Sequence, residues 1–315
     1  MKKVVFSILI AIYEAEWDAL KMTLDSIASQ SFRDYEIIVA DDGSVNNNKV
    51  ELEAYFADKD ISHKLVFNKK NQGTLKNELS ALSLAVGKYI KSLGQGDLLF
   101  DKDTLKRWVG FIKRNNYPDY FISLIQGFEI KEGVKKDKYF EHPFDLLAYM
   151  NYDTNKIVRN LIYYSDNVSG VAMICKKDFY ERYLCDIKGV VTYEEDIFQV
   201  KAALDGSYPL IYKDYGVWYE NSSGISTNVF SGYRKKLIED TNNFYNYLYE
   251  LYPDNIWLKK RKKISWIYVI ENIYIRTLLR MVFDPGCIMY LLDHYLQNVG
   301  RKKAEKNRRK GFLDD

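Results

Sequence analysis

Short apolar runs alternate with amphipathic segments along the first hundred residues, and this alternation constrains the fold more than any other feature. The runs KVVFSILIAIY, DYEIIVADDGS, HKLVFNKKNQG and KYIKSLGQGD are each typical of a strand, and the first is typical of a strand buried on both faces. The segments between them carry apolar residues at helical spacing, such as Leu20, Leu24 and Ile27. The third helix is predicted to end at Gly87, where a left-handed cap fits. The alternation predicts a parallel sheet with helices on both faces.

Polar side chains follow three of these predicted strands. The first, second and fourth strands end at Tyr13, at Asp41 and Asp42, and at Asp97. Ligands of such sheets bind beyond the carboxyl ends of the strands, so these residues are expected to converge on one binding edge. A plain turn in which the acid binds its own backbone is the alternative for VADDGS.

The pattern loosens after residue 101. DTLKRWVGFIKRN predicts a helix, PDYFISLIQGFEI and YPLIYKDYGVWYE predict strands, and NVSGVAMICKKDFYERY predicts a strand that enters a helix. Residues 131–165 give no clear prediction, and NSSGIST is expected to be a flexible loop. The pattern is helical from about Phe230 onward. We therefore predict an α/β domain over residues 1–228 and a basic, aromatic-rich helical extension over 229–315.

Three adjacent acids, Glu194, Glu195 and Asp196, begin the predicted helix TYEEDIFQVKAALDG. Acids in a first turn complement the helix dipole, and Thr192 could cap the helix, so a structural role is one interpretation. Clustered acids also repel one another, which raises the pKa of at least one of them. A raised pKa suits a general base, which is the second interpretation.

The stretch GQGD ends the fourth strand with two glycines and a single acid, Asp97. A divalent cation on a diphosphate needs oxygen ligands, so Asp97 is the candidate metal ligand and a simple turn is the alternative. Lys69, Lys70 and Lys76 flank the stretch NQG and could neutralise phosphate, although a solvated loop explains each of them equally well.

Composition limits the remaining classes. Hydrophobic residues make up 47% and charged residues 28% of the chain, which is typical of a globular protein. The three cysteines lack metal-type spacing and fit a reduced, cytoplasmic compartment. No run approaches the roughly 18 apolar residues of a membrane span. Residues 254–315 carry a net charge of +7 with interleaved aromatics. That pattern favours an anionic membrane surface, with nucleic-acid contact or a solubilising tail as alternatives.

Several motifs in this order resemble family 2 glycosyltransferases with the GT-A fold. They are SILIAIYEAEWDALKMTLDSIASQSFRDYEIIVADDGS, then NQG before a helix, GKYI, and EED followed by IF. The resemblance covers roughly residues 4–226. It implies an α/β GT-A (Rossmann-like) mixed sheet flanked by helices, here followed by the helical extension. It also implies inverting transfer of one sugar from a nucleotide-diphosphate sugar, chiefly a UDP-sugar, to a glycan, glycolipid or glycoprotein.

The resemblance also assigns roles to positions of this chain. Asp196 becomes the general base, with Glu195 beside it, and Mn or Mg would be held at Asp97. The nucleotide-sugar positions are Ala11, Tyr13, Asp41, Asp42, Asn71, Gly73, Lys76 and Gln95.

This chain departs from the family pattern at several positions. Ala11 and Glu14 replace Pro and Asn, Glu78 and Leu79 replace Arg and Asn, and Gly96 replaces the usual metal ligand. A catalytically silent subunit that supports a partner transferase is therefore the alternative function. Packing on the acceptor side, dimerisation and contact with the inner face of the cell membrane are open roles for the extension, and nucleic acid is not expected as a partner.

Overall fold

The computed structural model describes residues 4–132, 134–138, 143, 145–220, 233–304 and 310–314. Within them, nine strands form one sheet. The strands are β1 (Phe6–Ile12), β2 (Tyr35–Asp41), β3 (Ser62–Phe67), β4 (Tyr89–Leu93), β5 (Leu98–Leu99), β6 (Tyr120–Lys131), β7 (Val134–Lys138), β8 (Met173–Lys176) and β9 (Leu210–Glu220).

The helices lie between and after these strands. The α-helices are α1 (Trp17–Ala28), α2 (Lys49–Ala57), α3 (Thr74–Leu82), α4 (Thr104–Arg114), α5 (Leu146–Met150), α6 (Thr154–Arg159), α7 (Lys177–Ile187), α8 (Phe198–Leu204), α9 (Tyr233–Leu251), α10 (Ile256–Lys263), α11 (Ser265–Tyr268), α12 (Ile273–Phe283) and α13 (Gly286–Ala304). A π-helical turn covers Asn160–Tyr164 and short 3₁₀ turns cover Gly170–Ala172, Glu195–Ile197 and Phe312–Asp314.

The sheet has the order β3-β2-β1-β4-β8-β6-β9-β5, and β7 pairs with the edge of β6. Strands β3, β2, β1 and β4 are parallel, whereas β8 is antiparallel to both β4 and β6. The chain moves outward from β1 to β3 and then crosses back to β4 on the other side of β1. The carboxyl ends of β1 and β4 thus meet at a topological switch point, where open α/β sheets bind ligands. The mixed α/β fold predicted from sequence is confirmed.

Gly87 does not cap α3, so that prediction was wrong. The helix ends at Leu82, and Gly87 has no positive φ. A Cβ at Gly87 would lie 2.4 Å from the backbone nitrogen of Ser7 in β1. The glycine is needed because the loop before β4 passes directly against the neighbouring strand.

The extension begins by packing on the α/β body. Phe244, Tyr245 and Leu248 of α9 and Leu258 of α10 belong to the principal hydrophobic core. Full burial of a phenylalanine or leucine side chain such as these contributes about 1.5–3 kcal/mol. A second cluster joins α11 and α13 to Tyr163 and Tyr164 in the π-helical turn. The predicted boundary near 228–232 and the loop NSSGIST fall in or next to residues 221–232, which lie outside the described residues, so the division into two domains stays a prediction.

None of the described helices is both long enough and apolar enough to cross a membrane.

Candidate active site

A cleft of about 420 Å³ opens at the carboxyl edge of the parallel strands. The ends of β1, β2 and β4 and the start of α3 form one side of it. The turn at residues 169–171, the acid turn at 193–196 and the end of β9 complete its wall. The switch point of the sheet and the acidic turn predicted from sequence therefore share one cavity.

The two adjacent acids at the end of β2 have different partners. Asp41 is used by its own turn, since its carboxylate accepts hydrogen bonds from the backbone N–H of Gly43 and of Ser44 at 3.0 and 2.8 Å. Asp42 lines the cleft and accepts the N–H of Gln72 and of Gly73 at 3.0 and 2.9 Å. Burial raises the pKa of Asp42. Asp42 thus ties β2 to the 71–73 loop, while Asp41 forms the turn considered as an alternative above.

Gly73 connects that loop to the acid turn. Its φ of +91° lies in the region that favours glycine, and a Cβ there would be 2.4 Å from Thr192 Cγ2 and 2.7 Å from the Thr192 carbonyl oxygen. The backbone N–H of Leu75 also donates to that carbonyl at 3.1 Å. The 71–73 loop and the acid turn on the opposite side of the cleft therefore meet at Thr192.

Gly73→Ala is expected to destabilise the fold by about 1–3 kcal/mol and to weaken nucleotide binding, because the alanine would strain φ and push Thr192 away. Urea unfolding and calorimetric titration with UDP measure the two effects. Gly189→Ala is the matched control, since a Cβ at Gly189 meets no atom within 4 Å. Equal stability of the two variants would contradict the contact described here.

Asn77 is a binding-edge residue that the sequence analysis missed. Its side-chain amide donates to the carbonyl oxygens of Ala40 and Ile12 at 2.9 and 3.3 Å, and its oxygen accepts from Asn68 at 2.9 Å. These bonds tie the start of α3 to carbonyl groups near the ends of β1 and β2, and the Ile12 carbonyl also accepts the N–H of Asp42 at 2.9 Å. No motif in the sequence distinguishes Asn77 from other polar residues of α3, so its role at this edge was not predicted.

The GQGD stretch forms a tight turn at the end of β4. Gly96 has a φ of +84°, and a Cβ there would lie 3.2 Å from side-chain carbons of Glu220. Asp97 is buried, lines the cleft, and accepts the N–H of Gly94 and of Glu220 at 3.0 and 3.1 Å. Burial raises the pKa of Asp97 to about 7. Asp97 therefore stands at this strand end, with the side chain of Glu220 against the same turn.

Two further buried charges lie close to this turn. Lys91 in β4 donates to the carbonyl oxygens of Val171 and Met173, and burial lowers its pKa to about 7. Glu78 accepts hydrogen bonds from Ser92 and Tyr180, and burial raises its pKa. The positive charge of Lys91 offsets the acids around it. The lysine inside the apolar run YIKSL was the one sequence feature that could have indicated a buried cluster of Lys91 with Glu78 and Asp97.

The acid turn presents its carboxylates beside Gly170. Asp196 accepts the N–H of Gly170 at 3.0 Å, and a Cβ at Gly170 would lie 3.3 Å from the Asp196 Cβ. Burial in the cleft wall raises the pKa of Asp196 to about 6. Burial and the nearby Asp196 charge raise the pKa of Glu195 well above its usual value. Both acids of this turn therefore hold a proton more tightly than ordinary carboxyl groups.

Helix α9 holds the acid turn from outside the α/β body. One oxygen of the buried Asp240 carboxylate accepts the N–H of Thr192 and of Tyr193 at 2.9 and 2.5 Å. The hydroxyl of Thr241 donates to Glu194 at 2.6 Å. The predicted cap by Thr192 was wrong, because no side chain caps this turn and Asp240 binds its backbone instead. No local pattern could have paired residues so distant in sequence.

The cleft brings together most of the residues selected from the sequence. Asp41 and Lys76 are not among its lining residues, since Asp41 is buried in its own turn and Lys76 is exposed on α3. The remaining predicted site residues line the cleft: Ala11, Tyr13, Asp42, Asn71, Gly73, Gln95, Asp97, Glu195 and Asp196.

The family described as Glycosyl transferase family 2 matches residues 7–184, which is more than half of the chain. The chain belongs to this family. An uncharacterized glycosyltransferase of Haemophilus influenzae is 30% identical over 135 residues, which covers 42% of this chain and 53% of the relative. The putative glycosyltransferase EpsE of Bacillus subtilis is 31% identical over 111 residues, or 35% of this chain and 39% of EpsE. The chain thus matches about half or less of the length of these relatives.

Solved structures show the same fold. The crystal structure of S. aureus TarS 1-349 has a TM-score of 0.52 at 17% identity and covers 94% of this chain and 92% of that one. The complex of TarS 1-349 with UDP-GlcNAc gives a TM-score of 0.53, also at 17% identity. Together with the family match, this likeness confirms the predicted GT-A fold.

Proposed function

We propose that this chain is an inverting glycosyltransferase that moves one sugar from a nucleotide-diphosphate sugar to an acceptor hydroxyl. One observation carries the proposal: Asp42, Asp97 and Asp196 line a single cleft at the carboxyl edge of the parallel strands. Such an edge is where α/β sheets bind nucleotides, and a carboxylate at each of three places provides for donor recognition and for proton removal.

Asp196 is the proposed general base. It takes the proton of the acceptor hydroxyl while that oxygen attacks the anomeric carbon. The bond from the anomeric carbon to the diphosphate oxygen breaks at the same time, and the nucleoside diphosphate leaves. A single displacement of this kind inverts the anomeric centre. A pKa raised to about 6 leaves Asp196 ionised at neutral pH but a stronger base than an ordinary aspartate.

The donor is proposed to be a UDP-sugar, held on the other side of the cleft by the ends of β1 and β2 and by the 71–73 loop. Asp42 and Asn71 supply the polar groups there, and Tyr13 offers an aromatic ring at the rim. UDP-GlcNAc bound to the similarly folded TarS 1-349 supports a uridine nucleotide. A glycan, glycolipid or glycoprotein is the proposed acceptor.

A divalent cation fits this site only when the substrate shares in binding it. Within the described residues, no three His, Cys, Asp or Glu side chains are grouped to hold a metal ion. Mg²⁺, however, is often held by one or two carboxylates together with substrate phosphates, and Asp97 can serve as that single carboxylate. A bound cation would neutralise the charge of the leaving diphosphate.

Titration with UDP tests the proposal. The intact chain should bind UDP in calorimetry, and Mn²⁺ should tighten binding about tenfold, or ~1.4 kcal/mol. Asp97→Asn should lose the effect of the metal while still binding UDP, because it removes the charged ligand and keeps the shape of the turn. Asp60→Asn, at an exposed acid between α2 and β3, is the control. Binding that ignores metal in the unmodified chain would remove Asp97 as a metal ligand.

A catalytically silent subunit is the second candidate. The observations that favour it are Gly96, where the family resemblance implies a metal ligand, and the buried Glu78, where it implies an arginine. Absence of binding with UDP, ADP, GDP and CDP would favour this candidate over the enzyme.

The proposed location is the cytoplasmic side of a cell membrane, at its inner face. The basic, aromatic-rich extension supports peripheral contact with anionic lipid.

A further inference from the structure

The two last helices of the extension expose an apolar surface, which we call the α12–α13 face. Its members are more than 40% exposed: Tyr274, Ile275, Leu278, Val282, Phe283, Ile288, Met289, Leu292, Tyr295 and Leu296. Tyr274 is 84% exposed, and Val282 and Leu296 are each 66% exposed. Large contiguous apolar surfaces are rare on monomeric soluble proteins and mark interaction sites.

The positions on this face follow helical spacing. Tyr274, Leu278 and Val282 recur every four residues along α12, so they lie on one side of that helix. Ile288, Leu292 and Tyr295 follow at spacings of four and three along α13, which also places them on one side of that helix. Within the described side chains of 274–296, Asp293 is the one exposed charged residue. Both helices are thus amphipathic, and their apolar sides are turned away from the protein.

The opposite sides of these helices are fixed to the body. Cys287 and Tyr290 of α13 belong to the cluster that includes Tyr163 and Tyr164. Arg280 of α12 donates to the carbonyl oxygen of Tyr163 at 3.1 Å. The apolar face is therefore the outer side of helices whose other sides pack against the body.

Basic residues flank the α12–α13 face along the chain. Before it, Lys259, Lys260, Lys262 and Lys263 of α10 are exposed. Arg261, in the middle of that run, is buried between the rings of Tyr245 and Tyr268, with its guanidinium 3.5 and 3.6 Å from the ring centres. After the face, the sequence RKKAEKNRRK adds seven more cations. Arg261 therefore anchors α10 to the body, and the lysines of the same run face solvent.

We infer that the α12–α13 face inserts into the headgroup region of an anionic lipid bilayer. Apolar helix faces bordered by Lys and Arg are the pattern of helices that lie in a membrane interface, and each nearby cation adds attraction to anionic lipid. A second copy of the chain fits this face less well. A two-fold dimer would bring two regions of net charge +7 against each other.

This inference deepens the proposed membrane location and rests on it. Co-sedimentation with vesicles of phosphatidylcholine containing about 30% phosphatidylglycerol tests it. The full chain should bind these vesicles, and should bind pure phosphatidylcholine vesicles more weakly. The double variant Val282→Glu/Leu292→Glu should lower binding to the anionic vesicles about tenfold or more, because it places charges on the apolar face. Truncation is unsuitable, since Leu258 and Arg261 are buried against the body.

Val50→Glu is the matched control, because Val50 is 74% exposed on α2, away from the extension. It should bind vesicles like the unmodified chain. A chain that ignores anionic vesicles but sediments as a dimer, with the double variant monomeric, would overturn the inference in favour of a second copy. UDP titration of the same samples distinguishes failure of the proposed donor site from failure of the proposed membrane surface. Vesicle binding without UDP binding would defeat the donor site and leave the membrane surface standing.

Discussion

Asp196→Asn is expected to lower the turnover number by about 10²–10⁴-fold, the usual contribution of a general base. The amide keeps the size of the side chain and can still accept the N–H of Gly170, so the turn should fold unchanged. UDP affinity should therefore stay close to that of the unmodified chain. Turnover is measured as UDP released in the presence of an acceptor, and binding is measured by calorimetry.

The pH profile adds a second readout for the same variant. Burial raises the pKa of Asp196 to about 6, and only the deprotonated carboxylate can accept the acceptor's proton. Activity of the unmodified chain should therefore rise as the pH increases through about 6 and then level off. The residual activity of Asp196→Asn should not show this rise with pH.

Two controls sharpen that test. Glu195→Gln should lower the turnover number less than Asp196→Asn does. The strongly raised pKa of Glu195 favours its neutral form, which the amide resembles. Asp60→Asn should change nothing. If Asp196→Asn turned over normally and its activity still rose through about pH 6, Asp196 would not be the base.

Asp240→Ala is expected to lower turnover by about 10- to 100-fold, although Asp240 does not line the cleft. The alanine leaves the N–H groups of Thr192 and Tyr193 without their acceptor, which should also cost about 1–3 kcal/mol of stability. The acid turn then loses its fixed position relative to the donor. The loss should appear in the turnover number more than in UDP affinity, and steady-state kinetics with urea unfolding measures both.

Asp240→Asn separates positioning from charge. A single carboxylate oxygen accepts both N–H groups, and the amide oxygen of asparagine can do the same. This variant should recover most of the lost activity. Glu239→Ala, at the exposed neighbouring acid on α9, is the control for the helix. If alanine and asparagine were equally damaging at position 240, the hydrogen-bonding account would be wrong.

The binding edge was predictable because it depends on local patterns. Apolar runs locate β1, β2 and β4, and the residues that follow them necessarily lie at one edge of a parallel sheet. Which of two adjacent acids faces the cleft was not decided by the residues alone. Asp41 and Asp42 differ only in which one meets the 71–73 loop, and that depends on where the loop packs.

Other parts of the site depend on contacts that no local pattern encodes. Asp240 reaches Thr192 across 48 residues of sequence, and Lys91 reaches Val171 across 80. Residues 131–165 contain short helices and a π-helical turn, which are stabilised by tertiary packing more than by propensity. The α12–α13 face was not predicted for a related reason, since the sequence predicts helices in this region but not which side of each one contacts the body.

Asp240 binds the backbone of the acid turn, and this contact limits which parts of the chain can be exchanged with those of its relatives. A chimera that joined residues 1–228 to the last helices of another family member would keep the binding edge at the ends of β1, β2 and β4. It would keep an ordered acid turn only if the foreign helix supplied an acceptor in the place of Asp240. The helix and the turn at 192–196 should therefore be inherited or exchanged as a unit, even though the chain separates them by more than forty residues.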